Sequence, residues 1–193
     1  RLQEKCKELG LGCDIIPKVE MSGTIVSSTY IRRLVELGQI ERANCFLGHP
    51  HVLTGVVHHG RGIGSSRLFP TANLPIPPHV LVPSHGVYVT RVTLEDGTSY
   101  PAVTNVGTRP TVNNGTDVTV EACLLDFQGD LYGRTLRLEF FRHLRDEVRF
   151  DSLDALKAQI ASDADATRAF PEPPNVPPCA SFTMITRAST TMT

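Results

Sequence analysis

The chain is organised around the stretch Phe69-Pro70-Thr71-Ala72-Asn73-Leu74, which follows the glycine-rich run Gly60-Arg61-Gly62-Ile63-Gly64-Ser65-Ser66. Glycines let a backbone approach an anionic ligand closely and turn its N–H groups toward it. Thr71 and Asn73 are two positions apart, so an extended strand directs both side-chain oxygens to one side. Two such oxygens can hold Mg²⁺, which takes few protein ligands and completes its octahedron with phosphate oxygens and water. These segments therefore favour a magnesium–nucleotide phosphate site.

A plainer interpretation of the same residues stays open. The run at residues 60–66 also fits an ordinary glycine-rich turn, followed by a strand that Pro70 interrupts. Short motifs of this kind match by chance, so the pattern does not decide between the two interpretations.

Composition limits the classes of function. The chain has 193 residues and a hydrophobic content of 40 %, enough for one domain and a fragment of another. Its net charge is −1 with mixed signs, which argues against nucleic acid or an anionic membrane as a partner. There is no apolar run of roughly 18 residues and no secretory signal. The scattered cysteines form no C-x-x-C pair, which indicates reduced thiols in a cytoplasmic protein.

Four helical segments are predicted, three before a β-rich middle and one after it. The first 47 residues contain a helical end stopped at Gly10, a helix capped by Ser27 or Ser28, and a short helix at Ile40–Leu47. The hydroxyls and arginines near Ser27 can hold phosphate at a helix N-terminus, although an ordinary capped helix fits equally. The last helix starts at Asp151 or Ser152 and ends near Thr167, with an apolar stripe formed by Leu153, Leu156 and Ile160.

The middle of the chain predicts a closed antiparallel barrel of short strands. Asp96-Gly97 is a strong two-residue hairpin signal. Prolines 75, 77, 78 and 83 predict an irregular crossing, and a loop is expected at residues 105–111. The predicted strands cover residues 52–58, 86–94, 100–106, 118–127 and 135–141.

Glu121 is the candidate general base. It lies among β-branched and apolar residues of the fourth predicted strand, where a carboxylate is costly unless it is paired or used. Phosphoryl transfer needs one carboxylate on the nucleophile. A solvent-facing Glu on the outer face of the barrel fits the spacing as well. Arg145 can stack on a flat ring or bind phosphate and Phe150 can pack a ligand, but a solvated loop also explains that segment.

Several motifs, taken in order, resemble the riboflavin kinase module of bacterial bifunctional riboflavin kinase/FAD synthetases. The similarity covers about residues 49–170 and is dense and specific. Upstream, residues 26–32 resemble the last nucleotide motif of the adenylyltransferase half of those proteins. The matching motifs are G-x-G-x-G, F-P-T-A-N-L, G-V-Y, N-V-G-T-R-P-T, V-E-A-x-L-L-D-F, D-L-Y-G and R-x-E-x-x-F.

The resemblance implies a mainly β fold, a six-stranded antiparallel Greek-key barrel with a C-terminal α-helix and short preceding helices. It implies conversion of riboflavin and ATP into FMN and ADP, with Mg²⁺ held by Thr71 and Asn73 and with Glu121 as the base. It assigns the phosphates to Gly60, Gly62, Gly64, Ser65, Thr71 and Asn73. It assigns the flavin to Arg145, Glu147 and Phe150, and a substrate-proximal loop to Asn105, Arg109 and Thr111.

The resemblance also implies a division of the chain. Residues 1–47 would be a C-terminal remnant of the nucleotidyltransferase domain with linker helices, and residues 48–170 the kinase domain. Residues 171–193 are Pro-rich and then Ser/Thr-rich without periodicity, a composition that predicts a disordered tail and also fits a non-native one. Ser65, Leu68 and Cys123 depart from common residues of the family, which bears on affinity more than on reaction type. No H-x-G-H signature occurs, so FAD synthesis is expected of the full-length parent and not of this chain.

Two other functions compete with the kinase. One is a non-catalytic barrel that binds a flavin or a nucleotide, and a barrel that binds only a flavin would not need the Thr71/Asn73 pair. The other is a residual adenylyltransferase, which lacks its first nucleotide motif. The sequence does not determine the oligomeric state.

Overall fold

A computed structural model describes residues 1–14, 17–58, 71–77, 79–110 and 116–171, and for residues 109, 110, 116 and 117 it describes the backbone. In this part of the chain no helix is both long and apolar enough to cross a membrane. The helices are α1 (Leu2–Glu8), α2 (Ser28–Glu36), α3 (Ile40–Leu47) and α4 (Leu153–Arg168). The strands are β1 (Glu20–Met21), β2 (Thr24–Ile25), β3 (His51–Val56), β4 (Thr71–Pro75), β5 (Gly86–Leu94), β6 (Ser99–Pro110), β7 (Thr116–Leu124) and β8 (Thr135–Arg145).

Six antiparallel strands form one curled sheet in the order β3-β8-β5-β6-β7-β4. Three consecutive strands, β5, β6 and β7, are followed by β8, which returns to lie beside β5, and this is the Greek-key arrangement. The edge strands β3 and β4 approach each other at an isolated bridge, where the His58 N–H donates to the Asn73 carbonyl oxygen at 2.9 Å. The predicted mainly β, six-stranded antiparallel fold with a C-terminal helix and short helices before it is confirmed.

The main core fills the inside of the curled sheet. Alternate residues of β8 point inward, as the sequence predicted for this strand: Leu136, Leu138 and Phe140 are all buried. Buried side chains of α2 and α3 belong to the same core, so these two helices cover one end of the barrel. Asn44 ties α3 to the sheet, because its amide donates to the Phe140 carbonyl at 2.8 Å and accepts from the His51 N–H at 2.7 Å. The predicted domain boundary at residue 47 stays a prediction.

Hydroxyl caps fix the starts of α2 and α4. Ser27 Oγ accepts from the Tyr30 N–H at 3.2 Å, and Ser152 Oγ accepts from the Ala155 N–H at 3.1 Å. Such caps satisfy backbone donors that a helix start leaves unpaired. Of the two candidate caps predicted for each helix, the structure uses Ser27 and Ser152. Gly38, after the end of α2, has a φ of +71°, which suits a residue without a Cβ.

Helix α4 packs on the outer face of the sheet, and its buried stripe differs from the predicted one. Leu153 is 61 % exposed, so its predicted place against the barrel is wrong. Burial shifts toward the C-terminal half, to Asp163, Ala164 and Thr167. Ala164 packs with buried residues of β5 and β6, and the ion pair of Asp163 holds this half of the helix against the sheet.

Two strands are longer than predicted. The expected loop that begins at Asn105 is wrong, because β6 continues to Pro110 and stays paired with β7. Gly107 and Pro110 suggested a loop locally, but the backbone partners on β7 keep the segment extended. Pro110 lies beyond Val106, where the pairing of β6 with β5 ends, and proline is tolerated at such an edge. Strand β8 likewise continues to Arg145. The tail at residues 172–193, predicted to be disordered, lies outside the described residues.

Candidate active site

Three polar residues form a row across three neighbouring strands. Glu121 on β7 has Asn73 on β4 as its direct antiparallel partner on one side and Asn105 on β6 as its partner on the other. Directly opposed residues share a face of the sheet, with Cβ atoms about 4.5–5.5 Å apart. The two amides and the carboxylate are therefore neighbours on one surface.

This row lies on the outer face of the barrel. The residues that alternate with it in β4 and β7, among them Ala72, Val120 and Ala122, are buried in the main core. Since side chains alternate along a strand, Asn73 and Glu121 point outward. Both are half-buried there, so Glu121 is on the outer face without being freely solvated. It lies on the side of the sheet that also carries Thr71 and Asn73.

Thr71 extends the site along β4 and lies opposite Cys123 of β7. Thr71 is exposed. Cys123 instead packs against a small buried cluster beneath α4, which consists of Val87, Val103, Leu125 and Ala164. Burial raises the pKa of the Cys123 thiol to about 11. At neutral pH the thiol is therefore protonated and behaves as a small apolar group beside the row.

Glu147, in the segment that follows β8, lies next to this row. The Asn105 side-chain amide donates to Glu147 Oε1 at 3.0 Å. Gly107, two positions after Asn105 on the same face of β6, leaves the space for this carboxylate, because a Cβ there would overlap Glu147 Oε1. Glu147 is thus placed by a hydrogen bond and by the missing side chain of a glycine.

Arg145 ties this segment to α4. Its Nη2 donates to Asp163 Oδ2 at 2.8 Å, and its Nε lies 3.1 and 3.2 Å from the two oxygens of the same carboxylate. Its Nη1 donates to the Asp146 carbonyl at 3.0 Å, and the guanidinium lies over the Phe150 ring at 5.8 Å from the centroid. The flat ring next to Arg145 in this structure is therefore that of Phe150.

Asp163 is a partner of Arg145 that was not predicted from the sequence. The side chain is 7 % exposed, and Gln159, one helical turn earlier, donates its amide to Asp163 Oδ1 at 2.8 Å. The position of Asp163 in the predicted helix could have identified it. Asp163 follows Leu156 by seven residues, which places a carboxylate on the apolar face of the predicted helix, where it needs a cationic partner.

The remaining predicted site residues divide into two groups. Arg109 lies on β6, where its backbone pairs with Asp117. The others lie outside the described residues: Gly60, Gly62, Gly64, Ser65 and Thr111. The row at the surface of β4, β7 and β6 offers one carboxylate between two amides. Such a group can accept a proton from an alcohol held against the sheet.

The chain is similar to known riboflavin kinases. The family description "Flavokinase: Riboflavin kinase" matches residues 47–170. A bifunctional riboflavin kinase/FMN adenylyltransferase of Pseudomonas fluorescens is 40% identical over 172 residues, which cover 89% of this chain and 55% of that protein. The enzyme of the same name from Bacillus subtilis is 33% identical over 154 residues, which cover 79% of this chain and 48% of that enzyme. The chain thus spans about half the length of these relatives.

Among solved structures, a crystal structure from Streptococcus pneumoniae superposes well. It is described as a macrolide-efflux protein, has a TM-score of 0.75 and 35% sequence identity, and the match covers 81% of this chain and 51% of that one. At this level of similarity the two chains share their fold.

Proposed function

Since this chain belongs to the riboflavin kinase family, we propose that it transfers the γ-phosphoryl group of ATP to the 5′-hydroxyl of the ribityl chain of riboflavin. The products are FMN and ADP. The observation that carries the proposal is the outward-facing pair of Glu121 and Asn73. This pair brings the proposed base next to a proposed ligand of the metal–nucleotide complex.

Glu121 acts as the general base in this proposal. Its carboxylate accepts the proton of the 5′-hydroxyl while that oxygen forms a bond to the γ-phosphorus. The bond between the γ-phosphorus and its bridging oxygen breaks, and ADP leaves with the electron pair. Phosphoryl transfer depends mainly on positioning and on charge stabilisation, so a single carboxylate beside the alcohol is a sufficient basic group.

Thr71 and Asn73 are the proposed protein ligands of Mg²⁺. They lie two apart on β4, on the outward face, and bring neutral oxygens. No group of three or more His, Cys, Asp or Glu side chains with the geometry of a metal site occurs among the described residues. A site that leaves most positions to phosphates and water suits Mg²⁺. When bound, the ion would neutralise charge on the phosphates.

The other assignments follow from the same family. We place the phosphates against the glycine run and the flavin beside the segment after β8, which carries Glu147 and Phe150. Arg145 is already bonded to Asp163, so its part is to shape the wall of the flavin site. Arg109 and Thr111 remain proposed substrate-proximal residues.

The proposal extends to the complete protein. The names of the relatives include an FMN adenylyltransferase, and we propose that the whole protein also converts FMN into FAD. A cytoplasmic location is part of the proposal, because the kinase needs ATP. None of the cysteines among the described residues forms a disulfide, which fits that compartment.

The test is chromatographic detection of FMN after the purified chain is incubated with riboflavin, ATP and Mg²⁺. We expect FMN to form in proportion to time and protein, and to require both ATP and the metal. Binding of riboflavin without any FMN would contradict the proposal and would favour the non-catalytic flavin-binding barrel.

A further inference from the structure

The hydrogen bond between Asn105 and Glu147 fixes the orientation of an amide. An ionised carboxylate only accepts hydrogen bonds, so the NH₂ group of Asn105 must face Glu147. The carbonyl oxygen Oδ1 of the same amide must then face away from Glu147. With a neutral partner such as glutamine, either end of the amide could face it.

We infer that Glu147 is a positioning residue for the phosphoryl acceptor and that it acts through Asn105. By holding the NH₂ group, it presents Oδ1 of Asn105 on the surface that carries Glu121, the direct cross-strand partner of Asn105. This oxygen accepts a hydrogen bond from a second hydroxyl of the acceptor, next to the one that loses its proton to Glu121. The site thereby selects a polyhydroxy chain over a simple alcohol. The inference rests on the proposed function.

Two features show that the position of Glu147 is built into the fold. The first is Gly107, whose missing side chain leaves the space that Glu147 occupies. The second is the ion pair that anchors the segment. Arg145, two residues before Glu147, is held by Asp163 of α4 and also donates to the Asp146 carbonyl.

The anchor is strong because it is largely removed from water. The exposed fractions of the Arg145 and Asp163 side chains are 23% and 7%. A charge-assisted pair with parallel contacts is stronger and more directional than a neutral hydrogen bond. Glu147 itself is exposed, so we expect its substitution to change the orientation of Asn105 and to leave the fold intact.

The kinetic test compares three variants. Glu147→Gln removes the acceptor-only group at nearly constant size, Glu147→Asp keeps the carboxylate, and Asp146→Asn is the matched control. Asp146 is 89% exposed and its side chain lies 3.5 Å from His143, so this control removes a charge one residue away. We expect Glu147→Gln to lower kcat/KM for riboflavin about tenfold, the effect of one hydrogen bond. The KM for ATP should stay within about twofold, and Glu147→Asp should recover part of the loss.

A second measurement does not depend on activity. In ¹⁵N-labelled protein, the side-chain NH₂ resonances of Asn105 report its contact with Glu147. We expect Glu147→Gln to shift them and Asp146→Asn to leave them in place. If wild-type protein forms no FMN, the proposed function fails while these resonances still test the orientation. Unchanged resonances in Glu147→Gln, or a kinetic loss equal to that of Asp146→Asn, would overturn the inference.

Discussion

Glu121 of β7 lies directly opposite Asn73 of β4, with both side chains on the outer surface of the barrel. The pairing joins two strands that are far apart in the sequence. It places the Glu121 carboxylate beside the amide that we propose as a ligand of the metal–phosphate complex. The catalytic proposal depends on this relationship.

Replacing Glu121 by Gln should lower kcat by about two to four orders of magnitude, because general-base catalysis contributes that much. Riboflavin binding, followed by flavin fluorescence, should be retained. Glu139→Gln is the matched control, since Glu139 lies on β8 and pairs with Arg137 at 3.0 Å. Turnover of Glu121→Gln at the level of the control would remove Glu121 from the mechanism.

Replacing Asn73 by Ala should raise the Mg²⁺ concentration needed for half-maximal activity about tenfold or more, as disturbed metal sites commonly show. Thr71→Ala should act in the same direction. A magnesium titration at saturating ATP measures the effect. Thr54→Ala, at an exposed position of β3, provides the reference, and titration curves that coincide with it would refute the metal assignment.

Replacing Asp163 by Ala should destabilise the fold by about 2–4 kcal/mol, because it leaves the guanidinium of Arg145 largely buried without its carboxylate. Urea unfolding followed by circular dichroism measures the loss. Asp165→Ala removes an 81% exposed carboxylate from the same helix and should change stability by less than about 1 kcal/mol. Equal effects of the two variants would show that the Arg145 contact contributes little.

Replacing Gly107 by Ala should displace Glu147 and lower turnover about tenfold, through the same lost hydrogen bond. The backbone at Gly107 has no positive φ, so the added methyl group acts by contact and not by strain. In the Glu147→Gln background the same change should have little further effect, which a double-mutant cycle measures. Gly12→Ala, where a Cβ meets nothing within 4 Å, is the control. Additive losses would contradict the contact.

Cys123 should resist alkylation in the folded protein. Burial raises its pKa from 9.0 to about 11, so the reactive thiolate is scarce at pH 7.5. Iodoacetamide labelling read by peptide mass spectrometry should show protection that urea removes. Because the folded pKa is the higher one, the thiol's contribution to stability is complete below pH 9 and is lost between about pH 9 and 11. Rapid labelling of Cys123 at pH 7.5 without urea would contradict this burial.

The local sequence was sufficient to predict those structural features that depend only on residues close together in the chain. The period-two pattern of Leu136, Leu138 and Phe140 predicted the inner face of β8, and hydroxyls at Ser27 and Ser152 predicted two helix starts. The two-residue spacing of Thr71 and Asn73 predicted that they share a face, because side chains alternate in any extended strand. These properties follow from backbone geometry over a few residues.

Only the tertiary structure decided which residues oppose one another. The register that sets Glu121 between Asn73 and Asn105, the extension of β6 past Gly107, and the pairing of Arg145 with Asp163 all join separate segments. A strand's own sequence specifies which face is apolar, but its alignment with a neighbour depends on the packing of the whole core. The sequence by itself determined the fold class and the groups available for chemistry, and the packing of distant strands and α4 brought those groups together.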